Sequence, residues 1–192
     1  MPNRIDAIGH AITQLVSRLI DQGFIFDRPD EVLPGVEPGT DEAIERIESE
    51  IGIIPLATKL FWQRVGCVDL SGSHPNWEGC EYPDPLIVFP PSSAVYELED
   101  FLADREERLS IGLPYLVPVA PDYYHKADVS GGMWYNVAVP AVADDPPLND
   151  EWHNVTFLAY LEIALRFGGF PGLSRCSSHT WPIERLSNES AG

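Results

Sequence analysis

The segment AIERIESEIGIIPLATKLFWQRVGCVD, residues 43–69, contains the strongest folding signals of the chain. Its first half has isoleucine at every third or fourth position, which is typical of a helix with one buried face. These isoleucines are Ile44, Ile47 and Ile51. Thr40 can cap this helix and Gly52 can end it. Pro55 suits the first turn of another helix, over residues 56–65, so the segment predicts two consecutive helices.

A second helical pattern lies upstream, over residues 5–19. Its apolar residues lie on one stripe, which the rest of the chain or a second chain must cover. They are Ile5, Ile8, Ile12, Leu15 and Leu19. Residues 21–40 contain three prolines and three glycines and predict an irregular connection. We therefore expect an N-terminal helix and extended arm over residues 1–40, a main domain over residues 41–186 and a frayed tail over residues 187–192.

Downstream of residue 69 the sequence changes to shorter runs of strand length. The predicted strands are residues 86–89, 116–120, 123–129 and 133–139. The predicted helices are residues 92–104 and 150–167. The last two strands flank Ser130, Gly131 and Gly132, which is a hairpin signal. This order predicts an α+β fold, in which a mainly antiparallel sheet of about four to six strands packs against helices.

The chain is strongly acidic. It has 12 basic and 30 acidic residues among 192, which gives a formal net charge of −18 at pH 7. A protein that binds a phosphate backbone needs the opposite sign, so we expect no nucleic acid partner. No apolar stretch is long enough to span a bilayer, and three cysteines are few for a secreted disulfide framework. We therefore expect a cytoplasmic protein with no membrane partner.

The common catalytic motifs GxSxG, HExxH, the P-loop and GxGxxG do not occur in the sequence. We therefore expect no enzymatic activity and no cofactor. Residues of the types that bind zinc do occur, at Cys67, His74, Cys80, Cys176 and His179. Because no CxxC pair is present, we expect no bound metal, and Cys67, His74 and Cys80 are the candidates should one bind.

Residues 122–128 allow two interpretations. Their polar side chains, Asp122, His125, Lys126 and Asp128, are of the types that transfer protons. The interpretation we favour is a hairpin in which Lys126 simply pairs with a neighbouring carboxylate.

Residues 43–69 resemble the opening of the SUKH superfamily, which is named for a fungal regulator of cell-wall glucan synthesis and includes bacterial toxin-immunity proteins. The resemblance depends on residues 44–51, Gly52, Ile54, Pro55, Phe61, Trp62 and Gly66. Residues 77–90, 115–140 and 157–173 also resemble stretches of bacterial members. The resemblance covers roughly residues 41–173, so it implies a SUKH-like main domain. It also implies a binding function with no shared active site.

The acidic residues concentrate in residues 27–50, 97–107 and 144–151. They either form a solvated surface or bind a basic protein partner. The candidate binding residues are Glu97, Asp100, Asp104, Glu107, Asp144, Asp145, Asp150 and Glu151. With the resemblance, they predict a non-catalytic acidic protein-binding module that neutralises a cognate toxin, for example a nuclease, by occlusion. The alternative is a regulatory scaffold that recruits partner proteins in cell-envelope or signalling control.

Overall fold

Helices are the larger elements of the computed structural model, which describes residues 1–77 and 82–175. The helices are α1 (Pro2–Asp21), α2 (Thr40–Glu50), α3 (Leu56–Arg64), α4 (Pro91–Ala103), α5 (Arg105–Ser110) and α6 (Phe157–Arg166). The strands are β1 (Ile25–Phe26), β2 (Val68–Asp69), β3 (Gly72–Ser73), β4 (Ile87–Val88), β5 (Leu116–Ala120) and β6 (Tyr135–Ala138). Short 3₁₀ turns lie at Pro29–Glu31, His125–Ala127 and Pro171–Arg175. Among the described residues, no helix combines the length and the apolar character needed to cross a membrane.

The described strands form three two-stranded antiparallel sheets, β1–β3, β2–β4 and β5–β6. The prediction of mixed helix and sheet is therefore confirmed, but a single sheet of four to six strands is wrong for residues 1–77 and 82–175. Strands β1 to β4 have two residues each, which is too short to build a larger sheet. One hydrogen bond, from Phe89 N to Val119 O at 2.8 Å, links the end of β4 to β5. Pro118 offers no N–H, and the pairing of β5 is irregular between Pro118 and Ala120.

The predicted hairpin is wrong, because residues 123–129 do not form a strand. They contain the 3₁₀ turn His125–Ala127, which Asp128 ends in the left-handed conformation. Lys126 N donates to Asp122 O at 3.0 Å and closes the turn. The Lys126 side chain is fully buried, so local hydrogen bonds and a buried ion pair override the alternating pattern. Strand β6 pairs with β5 instead.

Helix α1 is an integral part of the hydrophobic core. All five apolar residues of its stripe are buried, and α1 packs against α3 and α6. At the surface, Arg4 pairs with Glu162 at 2.6 Å and Asp6 with Arg64 at 2.8 Å. The chain itself therefore covers the stripe. The predicted tail, residues 187–192, lies outside the described residues.

Helices α2, α3 and α4 confirm the predicted helices that begin at residues 41, 56 and 92, within one residue at their starts. Thr40 does not cap α2 as predicted. Its hydroxyl instead donates to Glu37 O at 2.7 Å, and Gly39 precedes the helix with a φ of 84°. Helix α5 was not predicted, because its six residues are too few to show an apolar period.

Helix α6 begins at Phe157 rather than at residue 150. Thr156 caps it, since the threonine hydroxyl accepts a hydrogen bond from Ala159 N at 3.4 Å. Upstream, Asp150 and Asn154 have φ angles of 62° and 57°, which a helix does not allow. The acidic run that looked like a helix start is therefore a separate turn.

Candidate functional site

An open groove of apolar character lies between helix α4 and the β5–β6 sheet. It consists of two adjoining depressions of about 200 and 390 Å³, which share Glu97, Pro118 and Trp134. We call it the α4–β5 groove and define it by Phe89, Tyr96, Leu113, Pro118, Met133 and Trp134.

Several apolar side chains of the α4–β5 groove are exposed to solvent. Tyr96 is 68% exposed, Met133 58% and Leu113 53%. Large exposed apolar side chains gathered at one depression mark interaction sites far more often than the same residues scattered singly. The groove is therefore suited to receive an apolar side chain of another molecule.

Trp134 is held in place before any partner arrives. Its ring packs edge-on against Phe89, with ring centroids 5.4 Å apart, and stacks on His125 at 5.0 Å. Phe89 is itself fixed from below, because its carbonyl accepts a hydrogen bond from Trp62 Nε1 at 2.8 Å. The buried Trp62 of the opening segment thus positions the floor of the groove, and an aromatic anchor that is already ordered loses little entropy on binding.

The first set of predicted binding residues lies beside this groove. Glu97 lines both depressions. Asp100 on α4, Asp104 between α4 and α5, and Glu107 on α5 are exposed. Residues 91–110 contain six acidic residues and two arginines. The α4–α5 segment that forms the border of the groove is therefore predominantly acidic, although Arg108 lines one of the two depressions itself.

The second predicted set is largely structural. Asp145 Oδ1 accepts a hydrogen bond from Leu158 N at 3.2 Å in the first turn of α6, and Asp150 Oδ2 accepts one from Asn136 Nδ2 at 3.0 Å. The Glu151 carboxylate is buried. Asp144 is exposed, and its main-chain carbonyl accepts a hydrogen bond from Ala57 N at 2.8 Å. These four residues do not form one open acidic face.

The candidate metal ligands are only partly within the described chain. Cys67 is half-buried, and its pKa is raised, chiefly by burial and then by the Glu37 carboxylate. His74 Nε2 lies 2.9 Å from Gln22 O. Cys80, Cys176 and His179 lie outside the described residues. Within residues 1–77 and 82–175, no three His, Cys, Asp or Glu side chains are arranged to hold a metal ion.

The residues that could have formed a proton-transfer cluster are separated by the turn at residues 122–128. Asp122 Oδ1 accepts a hydrogen bond from His125 N at 2.8 Å and lies 2.9 Å from His125 Nδ1. Lys126 points the other way, into the core, where its ammonium donates to Asp84 at 2.6 Å and to the Tyr160 hydroxyl at 2.9 Å. Asp128 is exposed. The structure therefore shows Lys126 paired with a carboxylate, as we favoured, although without the hairpin.

The pair of Lys126 and Asp84 is completely buried, since neither side chain has accessible surface. Burial lowers the pKa of Lys126, an effect that the Asp84 carboxylate opposes. The ammonium also lies 4.9 Å from the centre of the Tyr135 ring, and burial raises the pKa of Tyr160. A charge pair enclosed in this way joins the segment at residue 84 to the turn and to α6.

Sequence reasoning did not find the α4–β5 groove. Its acidic border is visible as the run over residues 97–107, but its walls come from segments that only tertiary packing brings together. The usable signal was the dipeptide Met133–Trp134 directly after Gly131 and Gly132, because large apolar residues in a glycine turn are exposed unless something covers them.

Comparisons of the chain with protein-family models, with curated proteins and with solved structures found no match. The resemblance to the SUKH superfamily therefore stays a prediction from the motifs.

Proposed function

We propose that this protein is a protein-binding module whose α4–β5 groove receives an apolar side chain from a basic partner. The observation that carries the proposal is the combination of exposed Tyr96, Leu113 and Met133 with the ordered Trp134 and an acidic border. Binding interfaces commonly combine an aromatic anchor at the centre with a polar border that selects the partner by charge.

The charge of the chain favours a partner with Lys or Arg around its apolar anchor. At a formal net charge of −18, long-range attraction accelerates encounters with positively charged surfaces and repels acidic proteins. A nuclease toxin has such a surface, because it must hold a phosphate backbone. The resemblance to SUKH immunity proteins supports a toxin as the partner and occlusion as the mode of action.

A peptide titration followed by NMR tests the groove directly. The probe is a synthetic peptide with a central Leu-Trp pair flanked by lysines, and its matched control has glutamates in place of the lysines. We expect the basic peptide to shift the amide resonances of Tyr96, Leu113 and Met133 and the indole resonance of Trp134. We expect the acidic peptide to shift none of them.

Single substitutions then separate the groove from general charge attraction. Tyr96→Ala and Met133→Ala remove exposed side chains, so the fold should tolerate them, and each should weaken binding of the basic peptide by about fivefold or more. The matched controls are Ile53→Ala and Val142→Ala, which remove exposed apolar side chains from a different depression. If the control variants weaken binding as much as the groove variants do, the proposed site is wrong.

A further inference from the structure

Three side chains away from the α4–β5 groove form one continuous hydrogen-bonded relay. Glu151 Oε1 lies 2.5 Å from His153 Nδ1, and His153 Nε2 lies 3.0 Å from the Ser174 hydroxyl oxygen. A carboxylate, an imidazole and a hydroxyl in this order are the parts of a serine nucleophile that is activated by a histidine base. Ser174 lies on a 3₁₀ turn rather than in a GxSxG motif, so the relay is visible only in three dimensions.

The turn that carries the base is held rigidly. The second Glu151 oxygen accepts a hydrogen bond from His153 N at 2.9 Å, and Asn154 N donates to Glu151 O at 3.1 Å. Asp150 and Asn154, which flank the turn, both have positive φ. Asp and Asn adopt this left-handed conformation more readily than other non-glycine residues, so both suit the ends of a tight turn. The histidine is therefore positioned by its own backbone as well as by the carboxylate.

The relay leads from the interior to the surface. The Glu151 side chain is fully buried, the His153 side chain is 14% exposed, and Ser174 is exposed. The Trp152 ring lies against His153, with centroids 3.7 Å apart. A buried carboxylate that accepts the Nδ1 proton leaves the lone pair of Nε2 directed at the serine hydroxyl, which is the tautomer that a general base needs.

The Ser174 side of the relay is also anchored to the core. Phe170, directly before the 3₁₀ turn, and Leu173, within it, are buried, and Gly172 N donates to Pro83 O at 3.0 Å. Nucleophile and base are thus held by two separate elements, each fixed by buried residues. His153 contacts the buried Glu151 carboxylate through both its ring and its main-chain N–H, and neither contact needs a serine on the far side of the ring, so burial alone does not explain the placement of Ser174.

We propose that Ser174 is a nucleophile, activated by His153, that reacts with activated carboxylic esters. The hydroxyl oxygen attacks the carbonyl carbon and forms a new C–O bond, while His153 Nε2 takes the hydroxyl proton. The bond to the leaving alcohol breaks, and that alcohol takes the proton from His153. Water then attacks the acyl-serine with His153 again as base, which releases the carboxylic acid and restores the hydroxyl. This reactivity goes beyond partner binding and uses none of the groove residues.

A fluorophosphonate probe tests the proposal on the intact chain. Attack by an activated serine forms an O–P bond and expels fluoride, so the labelled residue can be identified by peptide mass spectrometry. The internal control is Ser110, which is also exposed but whose hydroxyl donates to the main-chain oxygen of Glu107 at 2.7 Å rather than to a base. We expect Ser174 to be labelled at least about tenfold faster than Ser110, because a positioned base contributes 10²-fold or more.

Variants decide whether the relay is responsible for the labelling. Ser174→Ala should remove the label, and His153→Ala should slow the labelling of Ser174 about tenfold or more. Glu151→Gln should slow it to a similar extent, provided that the variant has the melting temperature of the wild type. 4-Nitrophenyl acetate should acetylate the same serine. Labelling of wild-type Ser174 at the rate of Ser110 would overturn the proposal whatever the stability of the variants. Equal labelling of Ser174 in wild type and His153→Ala would also overturn it and would show that the contact serves only to hold the turn.

Discussion

Gly66 illustrates how one position joins two distant segments. It has a φ of 93°, and a Cβ atom there would lie 1.8 Å from Gly35 O and 2.7 Å from Val36 N. Gly39 has a similar φ of 84°, but a Cβ atom there would meet nothing within 4 Å. Alanine substitutions at the two glycines therefore distinguish the free-energy cost of the left-handed conformation from the cost of a clash with the main chain.

We expect Gly39→Ala to lower the free energy of unfolding by about 1 kcal/mol, which is the cost of the left-handed conformation alone. Gly66→Ala should lower it by about 3 kcal/mol or more, because residues 35 and 36 must also move. Urea denaturation of both variants measures the difference. Equal losses would mean that the arm does not pack against Gly66 in solution.

The buried pair of Lys126 and Asp84 gives a second prediction for single residues. Lys126→Met leaves Asp84 buried without a countercharge, so we expect a loss of about 3 to 5 kcal/mol in the free energy of unfolding. The double variant Lys126→Met with Asp84→Asn should lose less than Lys126→Met alone, because it buries no unpaired charge. Chemical denaturation of the three proteins tests this. A loss below about 1 kcal/mol for Lys126→Met would contradict the enclosed pair.

Among the secondary-structure elements, helix α1 allows the clearest prediction. Ile12 lies on the inner face of α1 and is completely buried, whereas the neighbouring Thr13 is exposed. Ile12→Ala should lower the free energy of unfolding by about 2 to 5 kcal/mol, and Thr13→Ala should change it by about 0.5 kcal/mol or less. Thermal or urea unfolding distinguishes them, and similar small effects would show that α1 is a detached arm.

The elements also show which features a sequence can reveal. An apolar period is a property of one continuous segment, so the stripe of α1 and the isoleucines of α2 were readable directly. The strands of two residues are too short to show an alternating pattern. Residues 123–129 do show the alternation of a strand, but they form a turn, because Lys126 points into the core and pairs with a carboxylate 42 residues earlier. Helix α6 was predicted too long because acidic residues suit a helix start, whereas the hydroxyl of Thr156 sets it.

The same limit applies to sites at the scale of the whole molecule. The acidic border of the α4–β5 groove is contiguous in sequence and was predicted as binding residues, while the groove itself needs Phe89, Leu113 and Met133 to meet. Of the second acidic set, Glu151 could not be recognised as buried, because its burial depends on the packing of distant segments. Its partner His153 is two residues away, but His153 in turn contacts Ser174, 21 residues further along the chain. The charge of a segment can be determined from the sequence, but whether a side chain is buried depends on the fold.

The distribution of charge over the whole molecule yields the last prediction, which concerns the rate of association with the lysine-flanked peptide. Neutralising Glu97, Asp100, Asp104 and Glu107 to the amides changes the formal net charge from −18 to −14. The matched control neutralises Asp21, Asp27, Asp30 and Glu50, which are exposed on α1, the arm and α2, and gives the same −14.

If only net charge mattered, both variants would slow association equally. Because attraction between exposed charges is screened beyond about 10 Å at 0.1 M salt, the four carboxylates beside the groove should matter more than the four that lie on other elements. We expect the groove variant to show the lower association rate and the weaker dependence on salt between about 0.05 and 0.5 M, with both variants melting like the wild type. Stopped-flow fluorescence anisotropy of a dye-labelled peptide measures these rates. Equal slowing in the two variants would show that only the net charge of the protein affects association, not the position of the carboxylates. Association rates that do not change with salt would show that electrostatic attraction plays no part in binding.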